Sequence, residues 1–286
     1  MKNNICVLIN VRDRPTELAL LLQSLRTQTM QNFDVFILDD RSGTPITNYH
    51  FFNCIYNVMR QENHKIFLKT NPFNFGVSKS RQEIVDFALK KDYDYFLRVD
   101  DDVILQPDYI ERLLKVIEAG YDIASGITTP CTPSFKRDPD HVGEVINRVV
   151  LDKEGKHIFN GDDCGIQYTK SKILPAHHFR SCALIKRIVH ENVSYLPTKL
   201  SKHGFREEQV FSYRAIMKGY KIGVDTSALN YHQLTPSGGE RSTTNMTGFN
   251  QQQFEEFTKE NKDELRKHFP DVILTKQELM KQTNTA

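Results

Sequence analysis

The chain has 286 residues, enough to bury one large core, and its 38 Lys and Arg nearly balance 36 Asp and Glu, for a formal charge of +2. That balance excludes a general polyanion binder, and no apolar run is long enough to span a bilayer. Five scattered cysteines (Cys6, Cys54, Cys131, Cys164, Cys182), odd in number and without metal-ligand spacing, fit a reduced, cytoplasmic protein.

The first half alternates strand and helix patterns. Ile5 to Ile9 reads as a buried strand, too short for the core of a signal peptide. Leu18, Leu21, Leu22 and Leu25 follow at helical spacing, with Pro15 in the first turn. Val35 to Leu38 and Ile66 to Leu68 read as strands, and Ile84, Val85, Ala88 and Leu89 mark a helix. Tyr95 to Val99 is a strand that runs into Asp100-Asp101-Asp102. Ile110, Leu113, Leu114 and Ile117 form an amphipathic helix closed by Gly120, and Tyr121 to Ser125 is another strand. Near-continuous apolar strands between helices predict an α/β fold: a mostly parallel sheet covered by helices on both faces. Ligands of such sheets bind beyond the carboxyl ends of the strands, where both Asp39-Asp40 and the triplet fall.

The second half is less regular. Residues 128–178 read as long functional loops, with a hairpin from Val149-Val150 to His157-Ile158 turning at Glu154-Gly155. Asp162-Asp163 reads as a loop turn that could touch an acceptor, and His177, His178 and His203 as surface or acceptor-site residues. Cys182 to Arg187 is a strand running into a helix, and Glu207 to Lys218 is a helix stopped by Gly219. Gln233 to Asn250, loaded with Gly, Ser and Thr, reads as a mobile loop. Phe254, Phe257, Leu265 and Phe269 suggest closing helices. Their polar face mixes Glu, Lys and Asp, which favours packing on the domain or on a second copy, as in a homodimer, over lying on a membrane. This divides the chain into 1–232, itself split at 127/128 into a donor-binding and an acceptor half, and a helical extension over 233–286.

A buried strand that ends in three adjacent carboxylates is costly unless something cationic receives them, because like charges repel and resist burial. Mg²⁺ or Mn²⁺ suits such oxygen ligands and holds diphosphates while keeping some waters.

Four further motifs accompany the triplet: Val11-Arg12-Asp13-Arg14-Pro15 after the first strand, Asp39-Asp40-Arg41-Ser42-Gly43 after the second, Asn74-Phe75-Gly76-Val77-Ser78-Lys79-Ser80-Arg81 opening a helix, and Phe205-Arg206-Glu207-Glu208-Gln209 opening another. This order resembles the family 2 glycosyltransferases of the GT-A (Rossmann-like) fold over residues 5 to 232. The resemblance implies that Asp40 reads the pyrimidine ring of a nucleotide, with Asp39 structural or on the ribose. It implies donor contacts from Arg81, Val11, Arg12, Arg14 and Asp101. Asp100 and Asp102 match the two acidic positions of the DxD motif, Asp102 as the direct metal ligand, and His232 sits where relatives complete the metal shell. Glu208 matches the general base, with Glu207 as its neighbour and rival. Two positions depart from the family pattern: Arg12-Asp13-Arg14 replaces the more frequent Tyr-Asn, and the base is Glu rather than Asp.

The chemistry asks for the same parts. Charge builds on a departing nucleoside diphosphate, which a metal stabilises, and the acceptor hydroxyl needs a carboxylate to take its proton. The expectation is therefore a metal-dependent, inverting transferase that moves a sugar from a nucleotide-diphosphate donor, UDP-linked by the resemblance, to a saccharide hydroxyl. A nucleotidyltransferase is a second reading, weakened because no glycine-rich loop follows the first strand. A non-catalytic nucleotide-sugar-binding module is a third. Lys199, Lys202, His203 and Arg206 form a basic run before the base that could hold an anionic acceptor, nucleic acid included, whose binding would weaken steeply with salt.

Overall fold

The computed structural model describes residues 4–131, 136–138, 145–147, 149–152, 155, 157–160, 166–168, 171–240 and 244–268. The first half contains β1 (Ile5–Val11), α1 (Pro15–Arg26), β2 (Phe33–Asp39), α2 (His50–Gln61), β3 (Ile66–Thr70), α3 (Val77–Ala88) and β4 (Tyr95–Asp100). There follow β5 (Val103–Leu105), α4 (Tyr109–Glu118), β6 (Ile123–Pro130), β7 (Lys136–Asp138), β8 (Val149–Leu151), β9 (His157–Asn160), β10 (Ile166–Tyr168) and β11 (Ile173–Pro175). β12 (Cys182–Lys186), α5 (Arg187–Asn192), α6 (Glu207–Met217), β13 (Ile222–His232), α7 (Thr244–Glu260) and α8 (Lys262–His268) complete the chain.

The main sheet runs β3-β2-β1-β4-β12-β6-β13-β11, with β5 paired to β13. β3, β2, β1 and β4 are mutually parallel, as are β6 and β13. β12 lies antiparallel between β4 and β6. The chain winds outward from β1 through β2 to β3, then returns to place β4 on the other side of β1. The carboxyl ends of β1 and β4 therefore flank a topological switch point, where an open α/β sheet leaves a crevice.

Both faces of the sheet are covered, and the alternation of side chains along each strand shows how. Cys6, Leu8, Phe36 and Leu38 enter one core with residues of α3, α5, α6, α7 and α8. Ile5, Val7, Ile9, Val35 and Ile37 enter the other with residues of α1, α2 and α4. Leu18, Leu21, Leu22 and Leu25 of α1 are fully buried there, so truncating any of them to Ala costs roughly 2–5 kcal/mol.

Most expected elements stand where the patterns put them, including the hairpin of β8 and β9. Residues 39–65, for which the sequence reading names no element, hold α2, whose Phe52 and Met59 are buried, with Ile55 and Tyr56 packed against the same core. The loop expected over Gln233 to Asn250 is corrected: α7 starts at Thr244, and Asn250 is fully buried with its Oδ1 accepting the Ser201 amide at 2.7 Å. Seven residues of that stretch, Thr244 to Asn250, thus belong to the helix, which Asn250 ties to the loop before α6. Phe254 of α7 and Leu265 of α8 enter the same core as α6. His178 is another correction, since it is buried and bonded to Gln209 at 3.1 Å instead of lying on the surface. No helix among the described residues is long and apolar enough to cross a membrane. Glu154, Asp162, Asp163 and Phe269 lie outside the described residues.

Candidate active site

The carboxyl ends of β1, β2 and β4, the first turns of α3 and α6 and the end of β13 surround one cleft of about 430 Å³, within the usual size of a small-molecule site. Val11, Arg12, Arg14, Asp40, Arg81, Asp100, Asp101, Asp102, Glu207, Glu208 and His232 all line it. Asp39 does not: its buried carboxylate accepts the Ser42 amide at 2.8 Å and ties off the turn after β2.

Asp40 stands at the foot of α3. Its Oδ1 accepts the Asn71 side-chain amide at 2.8 Å and the Phe75 amide at 3.0 Å, and its Oδ2 accepts the Gly76 amide at 2.9 Å. Gly76 is there because its backbone turns left-handed (φ 81°) into the helix, and a Cβ would lie 2.6 Å from the Cα of Lys202. Val77 donates to the Lys202 carbonyl at 2.8 Å, so the loop that leads into α6 is sewn onto the start of α3.

The three aspartates after β4 point in different directions. Arg14 bridges Asp101 at 2.9 Å and Asp102 at 2.8 Å. Burial, with Asp102 adding to it and Arg14 opposing it, pushes the Asp101 carboxyl above its ordinary range. Asp102 Oδ1 also meets His232 Nε2 at 3.1 Å. Burial would lower the His232 pKa, but the hydrogen bond and charge of Asp102 outweigh it and raise it. Asp100 turns away from both, to Arg81 and to Arg98, the latter at 3.4 Å. Burial would raise its pKa, and the two guanidinium groups outweigh that and lower it.

α6 opens on Arg206, held in the left-handed region (φ 78°), which drops Glu207 and Glu208 into the cleft. Arg98 Nη2 donates to Glu207 at 2.5 Å and to Glu208 at 3.2 Å. Burial pushes the Glu207 carboxyl up, with Arg98 opposing and Glu208 reinforcing. Glu207 is 4% exposed at its side chain and Glu208 28%, so Glu208 is the carboxylate an incoming molecule can reach.

The basic run before α6 does not form one patch. Lys199 pairs with Glu260 at 3.5 Å, and Arg206 turns to Gln251 at 2.9 Å and Gln209 at 2.7 Å, away from the cleft, while His203 lines it. Three site residues escaped the sequence reading. Arg98 was legible as a lone charge inside an apolar strand. Glu240, which accepts from Arg12 and Asn74, and Asn71, which braces Asp40, carry no local signal.

A divalent cation fits this donor set. The cleft lining holds seven carboxyl groups (Asp40, Asp100, Asp101, Asp102, Glu207, Glu208, Glu240), of which burial pushes Asp101 and Glu207 up, against four guanidinium groups (Arg12, Arg14, Arg81, Arg98). A divalent cation would offset the charge of a diphosphate lying beside the remaining carboxylates. Asp102 and His232 are a pair that could hold one. No group of three His, Cys, Asp or Glu side chains among the described residues is arranged to enclose a metal. Phosphate oxygens and water would supply the other ligands, the usual way Mg²⁺ and its relatives are bound.

Comparison with known proteins agrees with this fold. A solved structure titled GalNAc-T7 with UDP, GalNAc and Mn²⁺ superposes with a TM-score of 0.63 at 14% identity, over 86% of this chain and 47% of that one. Staphylococcus aureus TarS, residues 1–349 with UDP-GlcNAc, superposes with a TM-score of 0.52 at 14% identity, over 85% and 60%. These show the GT-A fold. A Haemophilus influenzae protein described as an uncharacterized glycosyltransferase is 31% identical over 117 residues, 41% of this chain and 35% of its own. The chain spans about a third of the length of the curated relatives it matches. Residues 6–193, about two thirds of the sequence and the part that carries β1 to β12 with Asp40, Arg81 and the acidic triplet, match the family described as Glycosyl transferase family 2, and the chain belongs to that family.

Proposed function

We propose that the chain transfers a sugar from a UDP-sugar to a hydroxyl of a saccharide acceptor, with a divalent cation and with inversion at the anomeric carbon. The observation that carries the reading is that Asp40, the Asp102–His232 pair and Glu208 line a single cleft at the sheet's switch point. The solved neighbours titled with UDP, UDP-GlcNAc and Mn²⁺ support the donor class.

Asp40 argues for a pyrimidine. A carboxylate has about four acceptor sites, and three protein donors use both sites of Oδ1 and one of Oδ2. One site remains, enough for the single ring N–H of uracil and too few for the paired donors on the edge of guanine. Asp102 and His232 would hold the cation, which when bound offsets the charge gathering on the leaving diphosphate. Glu208 accepts the proton of the acceptor hydroxyl, and Arg98, 3.2 Å away, aims it. Direct displacement by the hydroxyl that Glu208 deprotonates inverts the anomeric carbon. Against a nucleic-acid acceptor stands the pairing of Lys199 and Arg206, two of the four basic residues before α6, with Glu260 and Gln251.

Thermal-shift and calorimetric titrations with UDP, GDP and CDP, with and without Mn²⁺, test the reading on the wild type and Asp102→Ala. The expected result is a UDP-selective shift that needs Mn²⁺ and is lost in Asp102→Ala. Equal response to GDP would sink the base assignment, and NMR of a product with retained configuration would sink inversion.

A further inference from the structure

β4 carries a charge in the middle of its buried length. Arg98 is 2% exposed, between the fully buried Leu97 and Val99. An apolar residue would pack there at no electrostatic cost, whereas a buried guanidinium needs close counter-charges to be tolerated at all. Its carbon sits 5.3 Å from the centroid of the Phe179 ring. From there Nη2 reaches three carboxylates on two elements: Glu207 at 2.5 Å and Glu208 at 3.2 Å on α6, and Asp100 at 3.4 Å at the end of β4. Arg81 closes the other side, on Asp100 and, at 3.8 Å, on Glu207. Asp100 is thereby bonded within this lattice, while Asp102 and His232 are bonded to each other.

We propose that Arg98 is a positioning residue that fixes Glu208 relative to the strand end bearing Asp100, with Asp100 serving as counter-ion of Arg98 and Arg81 and not as a metal ligand. The role given to Glu208 rests on the glycosyltransferase reading; the lattice itself does not. A guanidinium is suited to the task because it stays charged when buried and its long stem brings Nη2 among oxygens of two elements, which a lysine ammonium on a shorter reach cannot do. The lattice makes the two walls of the cleft one unit, so that a shift of either would displace the base from the acceptor.

The test is a double-mutant cycle on unfolding midpoints, combining Asp100→Asn with Glu208→Gln in the wild type and in Arg98→Lys. The expected result is non-additive shifts in the wild type that become additive in Arg98→Lys. Additivity in the wild type, or coupling that survives Arg98→Lys, overturns the proposal. If Arg98→Lys fails to fold, Arg98→Met with Glu207→Gln removes a charge together with its partner and supplies the background. A second readout is UDP release from UDP-glucose and UDP-N-acetylglucosamine in water with Mn²⁺. Arg98→Lys should lower kcat by about 10–100-fold, as expected for a displaced catalytic group, while calorimetric UDP affinity stays within about threefold. Parallel loss of UDP binding would mark a merely structural role and overturn the proposal. Absence of UDP binding by the wild type would sink the donor reading alone, with the cycle still deciding on Arg98.

Discussion

Asp40 is a structural carboxylate to which the proposed function adds a selective role. Its oxygens hold the amides of Phe75 and Gly76 just before α3 and the side chain of Asn71, and the residue lines the cleft. Asp40→Asn replaces an oxygen by an NH₂ that confronts the Gly76 or the Phe75 amide, leaving a buried donor unanswered. The variant should lose about 1–3 kcal/mol of stability and at least about tenfold in UDP affinity, both read by calorimetry, since bonds to a charged acceptor have that range. Unchanged UDP affinity in a folded variant would remove Asp40 from the base site. Asp40 was legible as a cleft residue because ligands of such sheets bind beyond the carboxyl ends of the strands, and it directly follows the second strand. Arg98 was not assigned a role from sequence, because its meaning depends on Glu207 and Glu208, residues more than a hundred positions later that only the packing of α6 brings to it.

At the scale of elements, the cleft is made by joints between segments. The segment Gln233 to Glu240 after β13 crosses the loop after β1: the Gly239 amide donates to the Arg12 carbonyl at 2.8 Å, and Glu240 takes Arg12 and Asn74. Glu240 thus occupies a guanidinium that a diphosphate could otherwise use. Glu240→Ala should tighten UDP binding by roughly 3–10-fold, the size of one partly exposed ion pair, and weaker binding would make Glu240 a donor contact instead. The second joint is Gly76 against Lys202. Gly76→Ala puts a Cβ 2.6 Å from backbone in a region (φ 81°, ψ 164°) that side chains avoid. It should cost at least about 2 kcal/mol and weaken UDP binding as the Gly76 amide is pulled from Asp40, measured by denaturation and titration. A stability loss with intact UDP binding would separate the joint from the nucleotide site. The strands and helices that form these joints were readable from their periods, and so were the motifs at their ends. The joints were not, because Gly76–Lys202 and Arg12–Glu240 are contacts between loops distant in sequence, and loop geometry has no period to read.

For the molecule as a whole, the two cores on opposite faces of the sheet decide stability, and one of them holds a histidine without a hydrogen-bond partner. His190 is buried among Phe96, Tyr195 and Phe211, with ring centroids 5.3 to 6.3 Å away, and neither ring nitrogen is bonded. Burial, helped by the positive charge of Arg98, pushes its pKa down to about 3 from an ordinary 6.5. The sign follows from proton binding: below pH 6.5 the unfolded chain takes up a proton that the folded chain refuses until about pH 3. The contribution of neutral His190 is therefore whole above pH 6.5 and is lost as pH falls, at about 1.4 kcal/mol per pH unit. Buried acids such as Glu207 and Asp101, whose pKa values are raised, act in the opposite direction, because the folded chain then holds protons the unfolded chain has released. The comparison must accordingly be between the wild type and His190→Phe at each pH, which cancels them. Chemical denaturation from pH 7.5 down to 5 should show the difference between the two constant above pH 6.5 and moving by roughly 2 kcal/mol in favour of the variant by pH 5, whatever fixed offset the larger ring adds. A difference that stays flat across that range would mean that His190 reaches a proton acceptor or water in the fold, and that this core is less closed than its packing implies.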